Sequence, residues 1–203
     1  MSNRGVLIIL SGPSGSGKDT VLNKLVDGRD DVRVSVSMTT RAKRDGEIDG
    51  KHYYFVNREY FEKKIAEGKM LEYAEYAHNY YGTPREPVEE MLRAGKSVIL
   101  KIEVQGAEKI RKIFPDVTSI FLLPPSMRVL EERLRGRGSE DEETLHHRLV
   151  IAREELRRVY DYDYVVINDT VESAVKGIET VIEAESKKTA RNKNLISEVI
   201  DNV

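Results

Sequence analysis

A glycine-rich segment that follows a short apolar run is the feature that most limits what this chain can fold into. Residues 6–10 are all apolar, and the seven residues after Ser11 read Gly-Pro-Ser-Gly-Ser-Gly-Lys. This order matches a phosphate-binding loop up to its lysine, in its usual place between a strand and a helix. Glycines let the backbone wrap a phosphate closely, so that several N–H groups and a helix N-terminus face the anion. An ordinary glycine turn before a helix is the less favoured alternative. The predicted phosphate-binding residues are Gly12, Pro13, Ser14, Gly15, Ser16, Gly17, Lys18, Asp19 and Thr20.

The position after Lys18 departs from the usual motif. Phosphate loops generally offer a Ser or Thr hydroxyl to magnesium there, whereas this chain has Asp19, and Thr20 follows one place later. A carboxylate can hold magnesium through water when the ion also binds substrate phosphates. Alternatively, Asp19 only favours the first turn of the helix. Both interpretations stay open, and the metal ligands are therefore not assigned.

Apolar runs alternate with helical patterns along the rest of the chain. Runs at residues 6–10, 98–100, 120–123 and 164–167 are typical of strands buried on both faces of a parallel sheet, and residues 32–36 indicate a fifth strand. Apolar residues recur every three or four positions between residues 171 and 182, as in a helix. The alternation predicts an α/β fold with a parallel-sheet core flanked by helices.

The region of residues 37–93 interrupts this alternation. It is rich in Tyr and Gly and has the pattern of short strands around a helix at residues 57–66. We interpret it as an insertion into a core made of residues 1–36 and 94–203. The pattern after about residue 190 does not decide between a helix and a loose tail.

Composition argues against several classes of protein. The 203 residues, 39% of them apolar, suffice for one core with one inserted subdomain. Lys and Arg number 33 against 35 Asp and Glu, and the net charge of -2 does not favour nucleic acid binding. There is no cysteine for a disulfide or a thiolate metal site, and the N-terminal apolar run is too short for a signal peptide or a membrane span. We therefore expect a cytoplasmic protein without nucleic acid or membrane partners, either a monomer or a homo-oligomer.

Residues 35–53 carry a more specific pattern. Arg41 and Arg44 lie three positions apart and precede a Gly-Glu turn and Tyr53. This segment resembles the GMP-binding signature of the guanylate kinase family. Arginines present planar donor forks that match a phosphate, and the Tyr53 hydroxyl can donate a third hydrogen bond. The resemblance implies that these three residues hold the phosphate of GMP, whereas an arginine pair alone would more often be a solvated surface feature.

The resemblance continues through residues 71–83, which are similar to the second half of the family's GMP site. It implies that Glu72 accepts from the N–H groups of guanine and that Tyr81 binds the GMP phosphate. It further implies that the hydroxyls of Ser37 and Thr83 face guanine O6. Guanine presents an acceptor at O6 and donors at N1 and N2, so this set fits it. In isolation, Glu72 would be read as a surface glutamate.

The third resembling segment comprises residues 99–106. Family members usually have acidic residues at the positions of Lys101 and Glu103. Glu103 keeps the charge, and the resemblance implies that it makes a second guanine contact or a water-mediated contact with magnesium. Lys101 departs from the pattern, and we interpret it as a surface lysine at a strand end.

A basic cluster at residues 132–149 resembles the family's lid, at about residues 136–147. Glycines at 136 and 138 would act as hinges. In phosphoryl transfer the charge spreads over the equatorial oxygens, and converging guanidinium groups suit that chemistry. The resemblance implies a catalytic set of Lys18, Arg41, Arg133, Arg137 and Arg148.

Residues 164–169 resemble the family's last core strand. Asn168 would lie near the adenine of ATP, because the C-terminal ends of such strands form the ligand crevice. The alternative is that Asn168 caps the following helix, a role for which Asp169 competes.

Taken from the first strand to about residue 182, these motifs occur in the family's order. The resemblance implies a guanylate kinase that transfers the terminal phosphate of ATP to GMP, and also to dGMP, with Mg²⁺ and without a protein base. One alternative is a related kinase for another monophosphate, against which Glu72, Ser37 and Thr83 argue. Another is a guanylate kinase-like module that binds phosphopeptides without catalysis. Such modules typically lack a competent phosphate loop, which this chain has.

Overall fold

The computed structural model describes residues 5–76, 78–136 and 142–201. Its central sheet is parallel and is built from β1 (Leu7–Ser11), β2 (Val32–Val34), β7 (Ser97–Lys101), β8 (Thr118–Leu123) and β9 (Tyr164–Ile167). Their spatial order is β2-β7-β1-β8-β9. In the described part of the chain these strands correspond to the five that the apolar runs predict, and the α/β fold class is confirmed.

Helices cover both faces of this sheet. On one face, α1 (Lys18–Val26) and α7 (Val171–Ser186) pack against strand residues such as Ile8 and Ile99. On the other face, α3 (Arg85–Arg93) and α4 (Val104–Ile113) pack against residues such as Ile9 and Leu100. The alternation along β1 sends neighbouring apolar side chains to opposite faces, which explains why the whole strand is apolar. A separate cluster joins α5 (Met127–Arg135) to α6 (Glu142–Arg157).

Strand β9 differs from its neighbours in burial. Val166 is buried under α7, but Val165 and Ile167 on the other face are 54% and 52% exposed. The expectation that residues 164–167 are buried on both faces was therefore wrong. The strand lies at the edge of the sheet, and in the described residues only its Val166 face joins the core.

A second, four-stranded sheet lies between β2 and β7 in sequence. It consists of β3 (Ser37–Thr39), β4 (Tyr53–Phe55), β5 (Met70–Tyr76) and β6 (Asn79–Pro84), in the order β4-β3-β6-β5. The pair β3–β4 is parallel, whereas β6 runs antiparallel to both β3 and β5.

The predicted helix between these strands is α2 (Arg58–Ala66). It begins after Asn57, whose side chain accepts from the backbone N–H of Tyr60 and so satisfies one free donor of the first turn. Phe61 is fully buried and stacks on Tyr80, with ring centroids 5.2 Å apart. Helix α3, at the end of the predicted insertion, packs on the core sheet instead. The division into core and insertion stays a prediction.

The C-terminal segment continues past α7 through a short 3-10 turn, Thr189–Arg191, to α8 (Lys193–Asp201). Of the two structures that the sequence left open there, the helix is observed. The turn before α8 is tied to the core because its Arg191 donates to the fully buried Glu185 of α7. Glu185 also accepts from Thr118 and Tyr164. Within the described ranges, no helix is both long and apolar enough to cross a membrane.

Candidate active site

The loop between β1 and α1 is shaped by glycines with left-handed backbone. Gly12 and Gly17 have φ angles of 150° and 93°. A Cβ atom at Gly12 would lie 2.4 Å from the carbonyl oxygen of Leu122, and one at Gly17 would lie 2.4 Å from Nδ2 of Asn168. Both positions therefore require glycine for their conformation and for the space around them.

Lys18 is the first residue of α1, directly after this loop. Its ammonium group folds back onto the loop and donates to the carbonyl oxygens of Gly12 at 2.5 Å and Pro13 at 3.1 Å. Burial lowers the pKa of Lys18, and the carboxylates of Glu155 and Asp19 oppose that shift. The structure thus holds a cation over the loop where an anion would enter.

Asn168 lies against the same loop from the end of β9. Its side-chain Nδ2 donates to the backbone carbonyl of Ser16 at 2.7 Å, while its Oδ1 is buried and has no hydrogen-bond partner among the described residues. Helix α7 is capped by Thr170, which accepts from the backbone N–H of Ser173, so the alternative in which Asn168 or Asp169 caps this helix was wrong. Asn168 therefore offers an unused acceptor beside the phosphate loop.

Arg133 connects these two features. One of its terminal nitrogens donates to the backbone oxygen of Asn168 at 2.9 Å, and the other reaches the backbone oxygen of Ser16 at 3.4 Å. Arg148 approaches from α6 and donates to the Ser14 hydroxyl at 2.6 Å. Two of the predicted lid arginines thus contact the phosphate loop, from α5 and from α6.

A cavity of about 770 Å³ separates the loop from the second sheet. Most residues predicted from the sequence line it, namely much of the phosphate loop with Lys18 and Asp19, together with Ser37, Tyr53, Glu72, Tyr81, Glu103 and Arg148. This lining does not include Arg41, Arg44, Thr83, Arg133 or Asn168. Thr20 is exposed on α1. Arg137 and Gly138, with residues 139–141 of the predicted lid, lie outside the described residues.

Glu72 forms the far wall of the cavity. It faces Thr83 across the β5–β6 pair, and the Thr83 hydroxyl donates to its Oε1 at 2.7 Å. The side chain is buried, which raises the pKa of Glu72, although the bond from Thr83 and the nearby Lys109 act in the opposite direction. A Cβ atom at Gly106 on α4 would come within 3.1 Å of the other carboxylate oxygen, Oε2. A buried carboxylate is therefore enclosed by the second sheet and by a core helix.

Arg41 is held by a neighbour that the predicted site did not include. Its guanidinium donates to both carboxylate oxygens of Glu47, at 2.7 and 3.0 Å, and lies 5.5 Å from the ring centre of Tyr53. Glu47 also accepts from the backbone N–H of Arg44, and the bonds from Arg41 lower the pKa of Glu47 to about 2. Glu47 fixes the turn that carries both arginines. The Gly-Glu pair of the signature, at positions 46 and 47, is the feature of the sequence that could have identified Glu47 as a site residue.

Helix α6 contributes residues that the sequence did not single out. Thr144, His147, Ile151 and Glu155 line the cavity beside Arg148, all on one helix face. Positions three, four and seven apart share a face, so the assignment of Arg148 could have led to Ile151 and Glu155. Burial raises the pKa of Glu155, while Lys18 and the backbone N–H of Ser14 oppose the shift.

Lys101 also lies in the cavity lining rather than on an isolated part of the surface. Its ammonium donates to Oδ1 of Asp19 at 2.5 Å. Lys101 ends β7 and its side chain is 36% exposed, so the interpretation as a lysine at a strand end on the surface is confirmed, but this end of β7 opens into the cavity beside the first turn of α1. No local signal in the sequence links two residues that lie 82 positions apart.

Comparisons with known proteins agree with this geometry. The family model described as "Guanylate kinase" matches residues 4–185. A guanylate kinase of Streptococcus thermophilus is 50% identical over 98% of this chain and 97% of its own length, and one of Shouchella clausii is 50% identical over 93% and 92%. The crystal structure of guanylate kinase from Anaplasma phagocytophilum is 38% identical, covers 97% of this chain and 95% of its own, and superposes with a TM-score of 0.78.

Proposed function

The chain belongs to the guanylate kinase family, and from this premise we propose how its residues serve an ATP:GMP phosphotransferase. The enzyme phosphorylates GMP with ATP, giving GDP and ADP. The observation that carries the assignment of roles is the shared cavity, which has the phosphate loop on one side and the Glu72–Thr83 pair on the other. Two nucleotides bound to these walls would meet near Lys18 and Arg148.

ATP binds along the phosphate loop. The backbone N–H groups and Lys18 receive its phosphates, as the geometry of left-handed glycines and a helix N-terminus allows. Oδ1 of Asn168, which has no hydrogen-bond partner among the residues that the structure describes, is an acceptor suited to the 6-amino group of adenine. Asn168 and Arg133 hydrogen-bond to each other and to Ser16 of the loop. The groups that would bind the adenine and the phosphates are therefore in direct contact, and binding of one part of ATP would position the other.

GMP binds to the second sheet. The Glu72 carboxylate accepts from guanine N1 and N2, and the hydroxyls of Ser37 and Thr83 face O6. To donate to O6, Thr83 exchanges its bond to Glu72 for one to the base. Its phosphate is received by Arg41 and Tyr81, with Tyr53 beside them. To do so, Arg41 exchanges one or both of its bonds to Glu47 for bonds to the phosphate. Arg44 contributes from the exposed turn.

The residues in the cavity fit a role for Mg²⁺. Among the described residues there is no group of three or more His, Asp or Glu that would form a protein cage for a metal. Asp19 and Glu103 nevertheless place two carboxylates beside Lys18, and enzymes that act on nucleotide phosphates hold Mg²⁺ by one or two carboxylates together with the phosphates. When bound, the ion neutralises the charge that develops on the β- and γ-phosphates.

The transfer itself follows from charge and position. A phosphate oxygen of GMP attacks the γ-phosphorus of ATP in line, the bond to the β-phosphate oxygen breaks, and ADP leaves. The phosphate of GMP is already ionised near pH 7, so no protein base is needed. Lys18, Arg133 and Arg148 supply positive charge around the transferring group, and Arg137 belongs to the same proposed set.

A coupled assay with ATP and each of GMP, dGMP, AMP, UMP and dTMP tests the assignment. We expect turnover with GMP, weaker or similar turnover with dGMP, and little with the other three, because only guanine offers two donors to Glu72. Turnover of AMP or UMP equal to that of GMP would overturn the guanine assignment. Binding of GMP without any turnover would instead indicate a binding module.

A further inference from the structure

An ion pair at the edge of the cavity joins Asp19, a candidate partner of Mg²⁺ in the mechanism above, to Lys101, which that mechanism does not use. Asp19 lies in the first turn of α1, and Lys101 is the last residue of β7. Their side chains meet at 2.5 Å, and both belong to the lining of the cavity. The pair therefore bridges the phosphate loop and the neighbouring core strand, beside the site of transfer.

Its location gives the pair a chemical context. The position of Asp19 is the one where phosphate loops usually place a hydroxyl that binds Mg²⁺. Other charged groups act on the same spot, since Lys18 precedes Asp19 in the chain, Glu103 follows Lys101 by two residues, and Glu155 approaches from α6. An ion bound next to the β- and γ-phosphates would therefore interact with the charges of both Asp19 and Lys101.

The pairing changes what the carboxylate can do for a metal. A carboxylate with an ammonium group at hydrogen-bond distance has part of its charge neutralised and one oxygen engaged. Mg²⁺ gives up its water reluctantly, and a carboxylate so weakened holds the ion through water rather than displacing that water. Without the ammonium group, the same carboxylate would attract a divalent ion more strongly.

From this geometry, and on the basis of the proposed function, we propose that Lys101 is a positioning residue that keeps Asp19 a water-mediated partner of the nucleotide-bound Mg²⁺. The pair as a whole is neutral, so each partner alone shifts the affinity for a divalent ion in the opposite direction. Lys101 thereby limits how tightly the ion is held during release of products.

The test is a double-mutant cycle read by metal affinity. Mn²⁺ would be titrated into the complex of the enzyme with ADP, and free Mn²⁺ would be followed by electron paramagnetic resonance, with Mn²⁺–ADP in solution as the baseline. We expect Lys101→Met to tighten Mn²⁺ binding about three- to tenfold and Asp19→Asn to weaken it by a similar factor. The double variant should bind Mn²⁺ within about twofold of Asp19→Asn alone, because Lys101 acts through the Asp19 carboxylate and has nothing to modulate once that charge is gone. A double variant with the wild-type affinity would show that Lys101 acts on the ion directly, and would overturn the proposal.

Two controls separate this role from a general surface effect. Lys112→Met removes a lysine that pairs with Glu108 at 2.9 Å outside the cavity lining, and it should leave Mn²⁺ affinity unchanged. Lys101→Arg keeps the charge and should preserve the wild-type affinity. Thermal unfolding of each variant would confirm that it is folded.

The proposal is overturned if Lys101→Met and Asp19→Asn leave Mn²⁺ affinity unchanged, or if both shift it in the same direction. It is also overturned if Lys112→Met matches Lys101→Met. Turnover of GMP by the wild-type enzyme is measured separately. An enzyme without GMP turnover would contradict the proposed function while the affinities still reported on the ion pair.

Discussion

The phosphate loop and the proposed guanine pocket lie at the same cavity, yet they are built in different ways. The loop is mainly backbone, with left-handed glycines and a lysine that bonds to carbonyl oxygens six and five positions before it. The guanine pocket is made of side chains on different strands, such as Ser37 on β3 and the Glu72–Thr83 pair across β5 and β6. If the proposed roles hold, the difference teaches that the loop would recognise phosphate in any nucleotide, whereas the pocket would depend on strand register and burial for its choice of base.

The largest effect is expected from a substitution in the phosphate loop. Lys18→Ala should lower kcat about 100-fold or more with every monophosphate tested, because it deletes a charge aimed at the transferring group. The fold should persist, since burial already disfavours the charged form of Lys18. Steady-state kinetics with GMP and dGMP would measure the loss.

The matched control is Lys24→Ala, at an exposed position in the last turn of the same helix, which should retain wild-type kinetics. A Lys18→Ala enzyme with kcat within about threefold of the wild type would remove Lys18 from the transfer step.

The next effect should be confined to the pocket. Glu72→Ala leaves two guanine donors unpaired, and we expect kcat/KM for GMP to fall roughly ten- to several-hundredfold. The KM for ATP should barely change, because the loop and Asn168, to which we assign ATP, lie on the other side of the cavity. Discrimination against AMP should shrink, since adenine presents an acceptor where guanine presents a donor.

Glu75→Ala, at an exposed position three residues along β5, is the control and should behave like the wild type. If Glu72→Ala lowered kcat/KM equally for GMP and for ATP, the cause would be a folding defect. That result would contradict the proposed division of roles between the pocket and the loop.

A smaller effect concerns pH. Burial raises the pKa of Glu72 above its ordinary value, against the opposing influence of Thr83 and Lys109 and with a further raising effect of Glu103. The anionic form accepts from guanine, so kcat/KM for GMP should decline on acidification at a higher pH than an ordinary glutamate would give. A raised folded-state pKa also means that ionised Glu72 destabilises the fold above the unfolded pKa, and Glu72→Gln should therefore not lower the melting temperature near pH 7.

Profiles of kcat/KM against pH, measured for GMP and for ATP, would test this. The acid limb should appear for GMP and disappear in Glu72→Gln. An identical acid limb for both nucleotides would assign it to another group.

The smallest effect is one of motion rather than rate. Binding of a bisubstrate analogue should slow backbone hydrogen exchange by a few-fold at the end of α5 near Gly136, because closure brings Arg133 and Arg148 onto the phosphates. Helix α8, remote in the chain from both nucleotide sites, serves as an internal reference. Unchanged exchange near Gly136 would contradict the lid assignment.

Sequence predicted best what depends on neighbours in the chain. The glycine-rich loop after β1 and the helix predicted at residues 57–66 are local features, and both are observed, the helix as α2. The exposed face of β9 was missed, because whether a strand lies at a sheet edge depends on the arrangement of the other strands. Glu155 and the Asp19–Lys101 pair were missed for a related reason, since their partners come from distant parts of the chain.

The fold-back of Lys18 onto the carbonyl oxygens of Gly12 and Pro13 has a consequence for how the loop ranks anions. The ammonium group is already solvated by two backbone dipoles, so a small monovalent ion such as chloride gains little by displacing them. A polyphosphate brings several charges at once and engages the N–H groups of the loop as well. The loop should therefore discriminate by valence, remaining largely insensitive to the common salts of a cell while it responds to a nucleoside triphosphate.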